Sequence, residues 1–218
     1  AKSHFNLSLA LLLTGDLTRG FDEYEWRWQT DQAKKIQWLN FDRPMWDGSD
    51  VHGKTILIRC EQGLGDAIQF VRYAAIVQQK GGKVILSCYQ ELKRLFKQIP
   101  GIEQVAVRMD ELPDFQVQVP LMSLPHILGT NLENIPANVP YLAAPPNWQF
   151  SLNSVNRSYP VGNRNFKVGI VWAGSSEHLK DFQRSSYLSY FLKLLDIAGV
   201  SFYSLQKEVS VADRILLS

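Results

Sequence analysis

Six consecutive residues, Glu61-Gln62-Gly63-Leu64-Gly65-Asp66, carry the strongest chemical signal in the chain. They lie between an apolar, strand-like run, Thr55–Cys60, and a helical pattern that begins at Asp66. In a parallel sheet, ligands bind outside the carboxyl ends of strands, and this turn falls at such an end. Its glycines suit close approach of backbone to ligand and are expected to supply positive φ. The dinucleotide fingerprint is a poor match, because Ile68 stands where its third glycine belongs; a P-loop is excluded by the missing Gly-Lys-Ser/Thr ending. Asp66 opens the helix, where the macrodipole stabilises a negative charge and opposes a bound phosphate. A carboxylate in that place suits a group that binds or deprotonates a sugar hydroxyl. It equally suits a helix cap, and the residues alone leave both open.

A second loop, Ala173–Ser185, follows the apolar run Lys167–Trp172 and so occupies a comparable edge. His178, Lys180 and Arg184 are its candidate diphosphate ligands, with arginine offering a two-pronged donor. Glu177 and Asp181 offset much of that charge, so a solvated loop is the competing reading. Other chemistries lack their residues. The four histidines and two cysteines have no zinc spacing, no Asp-x-Asp pair stands out, and no Gly-x-Ser-x-Gly elbow is present. The expectation is no metal and no cofactor.

These loops must be held by the elements around them. Residues 3–29 read as two short helices about a Gly15-Asp16 turn, with Leu7, Ala10, Leu11 and Thr14, then Phe21, Tyr24 and Trp28, at helical spacing. Helix pairs this short normally stack in arrays, and Leu12 and Gly15 with Phe21, Tyr24 and Trp28 resemble one tetratricopeptide unit. A hairpin packed on the main domain is the alternative. Residues 31–53 form a connector with Pro44, Trp46, Gly48 and Gly53, where Trp46 is a candidate cleft-lining residue. Strands then alternate with helices: strand Thr55–Cys60, helix Asp66–Gln79, strand Lys83–Cys88, helix Glu91–Gln98, strands Val105–Val107 and Phe115–Val119, and a short helix Met122–Leu128. That rhythm predicts an α/β fold with a parallel sheet. It fails over the Asn- and Ser-rich segment 151–166, which reads as a linker. It restarts with strand Lys167–Trp172, helix Tyr187–Ile197 and strand Ser201–Leu205.

Composition bounds the function classes. A chain of 218 residues should bury about 70% of its unfolded surface, and 45% hydrophobic residues exclude disorder. Lysine and arginine total 23 against 21 acidic residues, which gives no electrostatic case for nucleic acid. Cys60 and Cys88 lie in apolar runs and read as buried thiols. No apolar run is long enough to span a membrane, and Leu7–Leu13 lacks the cleavage site of a signal peptide. The chain opens on Ala1 and stops within the apolar pattern Arg214-Ile215-Leu216-Leu217, so a piece of a longer protein is expected.

Taken in order, Leu11–Trp28, Pro44-Met45-Trp46-Asp47-Gly48, Gly53-Lys54, Glu61–Tyr73, Pro120–Pro125, Ile135-Pro136, Val139–Leu142 and Val168–Gly174 form a linked series. It resembles bacterial tetratricopeptide-repeat proteins that carry a heptosyltransferase-like (family 9-like) glycosyltransferase module, over nearly the whole chain. The resemblance implies a GT-B architecture, two Rossmann-like domains facing across a cleft, with acceptor on the first and nucleotide-sugar donor on the second. It assigns 1–30 to a repeat-like hairpin, 31–53 to a connector and 54–150 to the acceptor domain. After the 151–166 linker, 167–218 would be the start of an incomplete donor domain.

In that family the aspartate of the Gly-x-Gly-Asp turn is the proposed general base, a role that falls on Asp66. Gln62, Gly63, Gly65 and Gln69 become candidate acceptor-binding residues, and Ser175, His178, Lys180 and Arg184 candidate donor-diphosphate ligands. The family's loop often reads His-Lys-Asn-Asp-Arg-Asn-Arg-Ser; His178, Asp181, Arg184 and Ser185 match it, while Leu179 replaces the lysine. The implied function is sugar transfer from a nucleotide-diphosphate donor to an unknown glycan, lipid or protein acceptor. The fragment itself is expected to be inactive, in a cytoplasmic bacterial protein with protein partners reached through upstream repeats. The alternative is a non-catalytic, repeat-tethered scaffold that binds sugar nucleotides or proteins. A nicotinamide enzyme is disfavoured, since no acidic residue closes the second strand at Cys88.

Overall fold

A computed structural model describes residues 1–30, 42–107, 112–144, 166–175 and 181–217. The expected linker 151–166 lies almost wholly outside the described residues, as do His178 and Lys180. The chain divides into two compact units, Ala1–Trp148 and Gln149–Ser218.

The first unit opens with α1 (Lys2–Leu13) and α2 (Leu17–Tyr24), then a 3₁₀ turn, Glu25–Gln29. Gly15 at φ +86° makes the turn between them, and Asp16 caps α2 by accepting the Arg19 N–H. The two helices lie close because Gly20 faces Leu12; a Cβ there would stand 2.7 Å from the Leu12 side chain.

Beyond the connector come β1 (Thr55–Arg59), α3 (Leu64–Phe70), α4 (Tyr73–Gln79), β2 (Lys83–Cys88), α5 (Gln90–Phe96), β3 (Ile102–Val107), β4 (Val117–Pro120) and α6 (Leu124–Ile127). All four strands pair parallel, in the order β3-β2-β1-β4. This is an α/β arrangement of a parallel sheet and flanking helices, consistent with a Rossmann-like fold. β1 is central: Ile58 is paired with Leu86 on one side and Val119 on the other. Because strand side chains alternate between faces, Ile56, Ile58 and Cys60 join the main core with Ala67, Val71, Val77, Leu92 and Phe96. Leu57 packs instead with Ile85 and Phe115. Cys60 and Cys88 are buried, unbridged thiols.

Three expectations need correction in this unit. The helix expected over Asp66–Gln79 is broken between Phe70 and Tyr73. The carbonyls that would continue its ladder have other donors: Tyr141 Oη bonds Ile68 O at 3.1 Å, and Arg72 Nε bonds Gln69 O at 2.8 Å. The expected helix Met122–Leu128 begins as a 3₁₀ turn, Leu121–Ser123. Trp46 lines no cleft: it is 3% exposed, in the main core, its indole N–H donating to Ser49 O at 2.8 Å. Its backbone pairs with the free edge of β4 through Gln118.

The second unit contains β5 (Phe166–Ile170) and β6 (Val200–Ser204), paired parallel, and α7 (Val211–Leu217). The expected helix Tyr187–Ile197 is replaced by two 3₁₀ turns, Leu188–Tyr190 and Leu192–Asp196. Helices gain most of their stability by burying one face. Only Leu188 of this stretch is buried, and Tyr187, Tyr190, Leu194 and Ile197 are exposed. No helix among the described residues is long and apolar enough to cross a membrane.

The close α1–α2 contact yields a direct test. Gly20→Ala must push Leu12 aside and should cost about 1–3 kcal/mol, the usual range for overpacking. Urea denaturation checks this; an unchanged midpoint would show that Leu12 yields freely.

Candidate functional site

The fold brings Gln62, Gly63, Gly65 and Asp66 together on the turn that leaves β1, with Gln69 one helical turn further on. Strand order gives this turn its significance. From β1 the chain steps outward to β2 and β3, then returns to the opposite side of β1 to form β4. The turn after β1 therefore sits where the direction of winding reverses, the place at which open parallel sheets form a crevice at their carboxyl edge.

The glycines act differently from expectation. Neither adopts positive φ; Gly63 is extended at φ −64°, ψ 171°, and Gly65 lies within α3. A Cβ at Gly65 would meet nothing within 4 Å, so its contribution is bare backbone facing open space. At Gly63 a Cβ would stand 3.3 Å from Asp66 Oδ2. Asp66 is half-buried, and Oδ2 accepts the Gly63 N–H at 3.1 Å, one half of a capping box. Oδ1 has no hydrogen-bond partner among the described residues. The carboxylate therefore caps the helix with one oxygen and leaves the other available.

Neighbouring strands hold the turn from both sides. Tyr89, just beyond β2, donates its hydroxyl to Gln62 O. Glu61, just beyond β1, accepts the Met122 N–H at 3.1 Å through Oε1. The same oxygen accepts from Arg27 Nη2 at 3.2 Å. This ion pair is buried, with side chains 5% and 1% exposed. Arg27 Nη2 also donates to Ser123 Oγ at 2.7 Å, and Ser123 Oγ donates to Glu25 Oε2 at 2.9 Å. The guanidinium lies over the Tyr24 ring, 4.6 Å from its centroid, and over the Trp28 ring at 4.3 Å. Glu61 Oε2 is buried without a partner among the described residues.

Burial dominates the electrostatics here. It pushes the Glu61 carboxyl above the ordinary glutamate range, against the opposing pull of Arg27 and the Met122 N–H. It pushes Tyr24 up to about 12, opposed by Arg27 and assisted by the charges of Glu61, Asp66 and Glu25. Arg59, also buried, comes down to about 10 through desolvation, partly offset by Glu61. Sequence reasoning quoted Glu61 without a role and passed over Arg27. The available signal is Trp26-Arg27-Trp28, a charged residue set among aromatics.

In the second unit, Gly174 N–H donates to Ser185 Oγ at 2.9 Å, and Asp181 Oδ1 takes both the Ser185 hydroxyl and Arg184 Nε. A Cβ on Gly174 would stand 2.7 Å from the Arg184 guanidinium, so Arg184 packs over bare backbone beside Ser175. Gln206 fixes the start of this loop, its Oε1 accepting the N–H groups of Trp172 and Ala173. Ser175 and Arg184 thus belong to one knitted loop; His178 and Lys180, within it, are outside the described residues. No group of three or more His, Cys, Asp or Glu side chains is placed to hold a metal among the described residues.

The class that fold and site define is an α/β protein with a parallel sheet and a glycine turn at its winding reversal. No family model matches the chain, and no curated protein or solved structure matches it.

Glu61 generates a prediction with a definite sign. Its carboxyl holds a proton to higher pH when folded than when unfolded, so its contribution is full below the unfolded glutamate value. That contribution is lost as pH rises through the folded value. Within that window the stability of the native chain relative to Glu61→Gln should fall by up to about 1.4 kcal/mol per pH unit. Parallel urea melts of the two proteins across the window test this, and a flat difference would show that Glu61 does not titrate there.

Proposed function

We propose that the chain is part of a glycosyltransferase module that moves a sugar from a nucleotide-diphosphate donor to a hydroxyl-bearing acceptor. The observation that carries this reading is the place of Asp66: a carboxylate with one oxygen unengaged among the described residues, on a glycine turn at the winding reversal of a parallel sheet. On this reading Asp66 takes the acceptor hydroxyl's proton as that oxygen attacks the anomeric carbon. Gln62, Gly63, Gly65 and Gln69 shape the acceptor site, with Gly65 providing open backbone against which a sugar can lie. Ser175, His178, Lys180 and Arg184 offset the charge that grows on the departing diphosphate. Proton transfer and charge neutralisation are then the work of the chain's own side chains. The GT-B arrangement and the repeat-like character of the hairpin belong to the same proposal, and rest on the resemblance of the sequence motifs.

A specific observation favours the second reading, a binding scaffold without turnover. Asp66 Oδ2 is already engaged with Gly63 N–H, so a purely structural carboxylate accounts for that half of its geometry.

Two substitutions separate the readings. Asp66→Asn keeps an oxygen that can accept the Gly63 N–H, so stability should change little, while loss of a general base should slow transfer about 10²- to 10⁴-fold. Asp66→Ala should lose the cap as well, adding about 1 kcal/mol of destabilisation. The measurement is label transfer from UDP-, GDP- and ADP-linked sugars by the complete two-domain module proposed above, with urea melts of each variant. Near-normal transfer by Asp66→Asn in that module would leave Asp66 a cap; no transfer by the native module from any donor would favour the scaffold.

A further inference from the structure

We propose that Arg27 is a positioning residue for the glycine turn: delivered by the helical hairpin, it holds Glu61 and Ser123 and so fixes the segment that carries Asp66. The inference deepens the proposed function and rests on the reading of that turn as the acceptor site. It makes the hairpin a structural part of the site instead of an appended repeat.

Geometry carries the argument. Glu61 and Ser123 lie beyond the carboxyl ends of β1 and β4, the two strands that flank the winding reversal. One nitrogen of Arg27, Nη2, reaches both: Glu61 Oε1 at 3.2 Å and Ser123 Oγ at 2.7 Å. The Met122 N–H closes the triangle on the same Glu61 oxygen. Arg27 therefore reinforces the link that the Met122 N–H makes between the two strand ends, at Glu61, five residues before Asp66. Its own orientation is set by the hairpin, through the Tyr24 and Trp28 rings, the Tyr24 carbonyl and the Glu25 carboxylate.

A charge is an expensive means of docking. Desolvating an ion pair costs as much as the pair returns, and a well-packed apolar substitute often does as well or better. The hairpin already has apolar contacts with this unit, with Phe21 edge-on to Phe70, the last residue of α3. What arginine adds is direction, because its planar fork accepts only particular placements of its partners. Arg27 Nε is left buried without a partner among the described residues, a further cost of holding it there. Protonation of Glu61 on the unengaged Oε2 would leave both bonds to Oε1 in place. The groups facing Glu61 are Arg27 and Tyr24 from the hairpin, Arg59 from its own strand, and Met122 N–H from beyond the end of β4.

Amide hydrogen exchange of the unliganded chain tests the proposal for Arg27→Met, Arg27→Lys and Glu61→Gln. Arg27→Met should raise exchange about tenfold or more in 61–70 and 121–128, while β2 and β3 keep their protection. Arg27→Lys, which restores the charge, should recover part of that loss. Glu61→Gln, which keeps an oxygen at Oε1, should retain the protection of the turn. Unchanged exchange over 61–70 in Arg27→Met, with loosening confined to residues 2–29, would overturn the proposal; so would an Arg27→Lys chain as loose as Arg27→Met. If Arg27→Met does not fold, Arg27→Lys alone decides: loosening of 61–70 beyond that of β2 supports positioning, and native exchange there overturns it. Exchange requires neither donor nor acceptor. It can succeed when every transfer assay is blank and fail where transfer is found, so this proposal and the functional reading fall separately.

Discussion

β1 is the constraint on which the first unit depends. It is paired on both edges and buried on both faces, so no water can satisfy its peptide groups and its ladder must be complete. A strand so enclosed can release the chain only at its ends. Because β2 lies on one side and β4 on the other, the crossovers from β1 and to β4 diverge at the carboxyl end. The open backbone of Gly65 and the unengaged oxygen of Asp66 occur there. The candidate site is thus a consequence of how a central parallel strand must terminate.

The cost of that arrangement falls on the residue after the strand. Glu61 still lies within the protein, and burial of its carboxyl is unfavourable enough to move its titration upward in spite of a neighbouring arginine. The structure meets this with donors drawn from far along the chain: Met122 from the end of β4 and Arg27 from the hairpin. A polar group at the end of a core strand has become the meeting point of three chain segments. Such a junction tolerates little change, because removing one partner leaves the others buried and unpaired.

The second unit shows the opposite balance. In its two-stranded sheet β6 is half-buried and β5 is mostly exposed, and its aromatic and aliphatic side chains are largely exposed. Order there comes from polar loop contacts: Gln206 on the backbone after β5, Asp213 accepting the Trp172 indole N–H, and Asp181 gathering Arg184 and Ser185. The loop's geometry is therefore set by side-chain hydrogen bonds more than by packing.

The sequence by itself determined the local elements. Strand runs at 55–60 and 83–88, the helical hairpin and the glycine turn after the first strand were all legible, because side-chain periodicity and turn residues act over a few positions. Asp66 as a helix-opening carboxylate was legible for the same reason. Tertiary structure decided what joins residues distant in the chain. The winding reversal beside β1 depends on where β4 pairs, some sixty residues later. The helix break at Val71–Arg72 depends on the hydroxyl of Tyr141, and the burial of Trp46 on the edge of β4. The Arg27–Glu61 pair spans thirty-four positions and leaves no local pattern; which charge meets which is fixed only when the hairpin closes on the sheet.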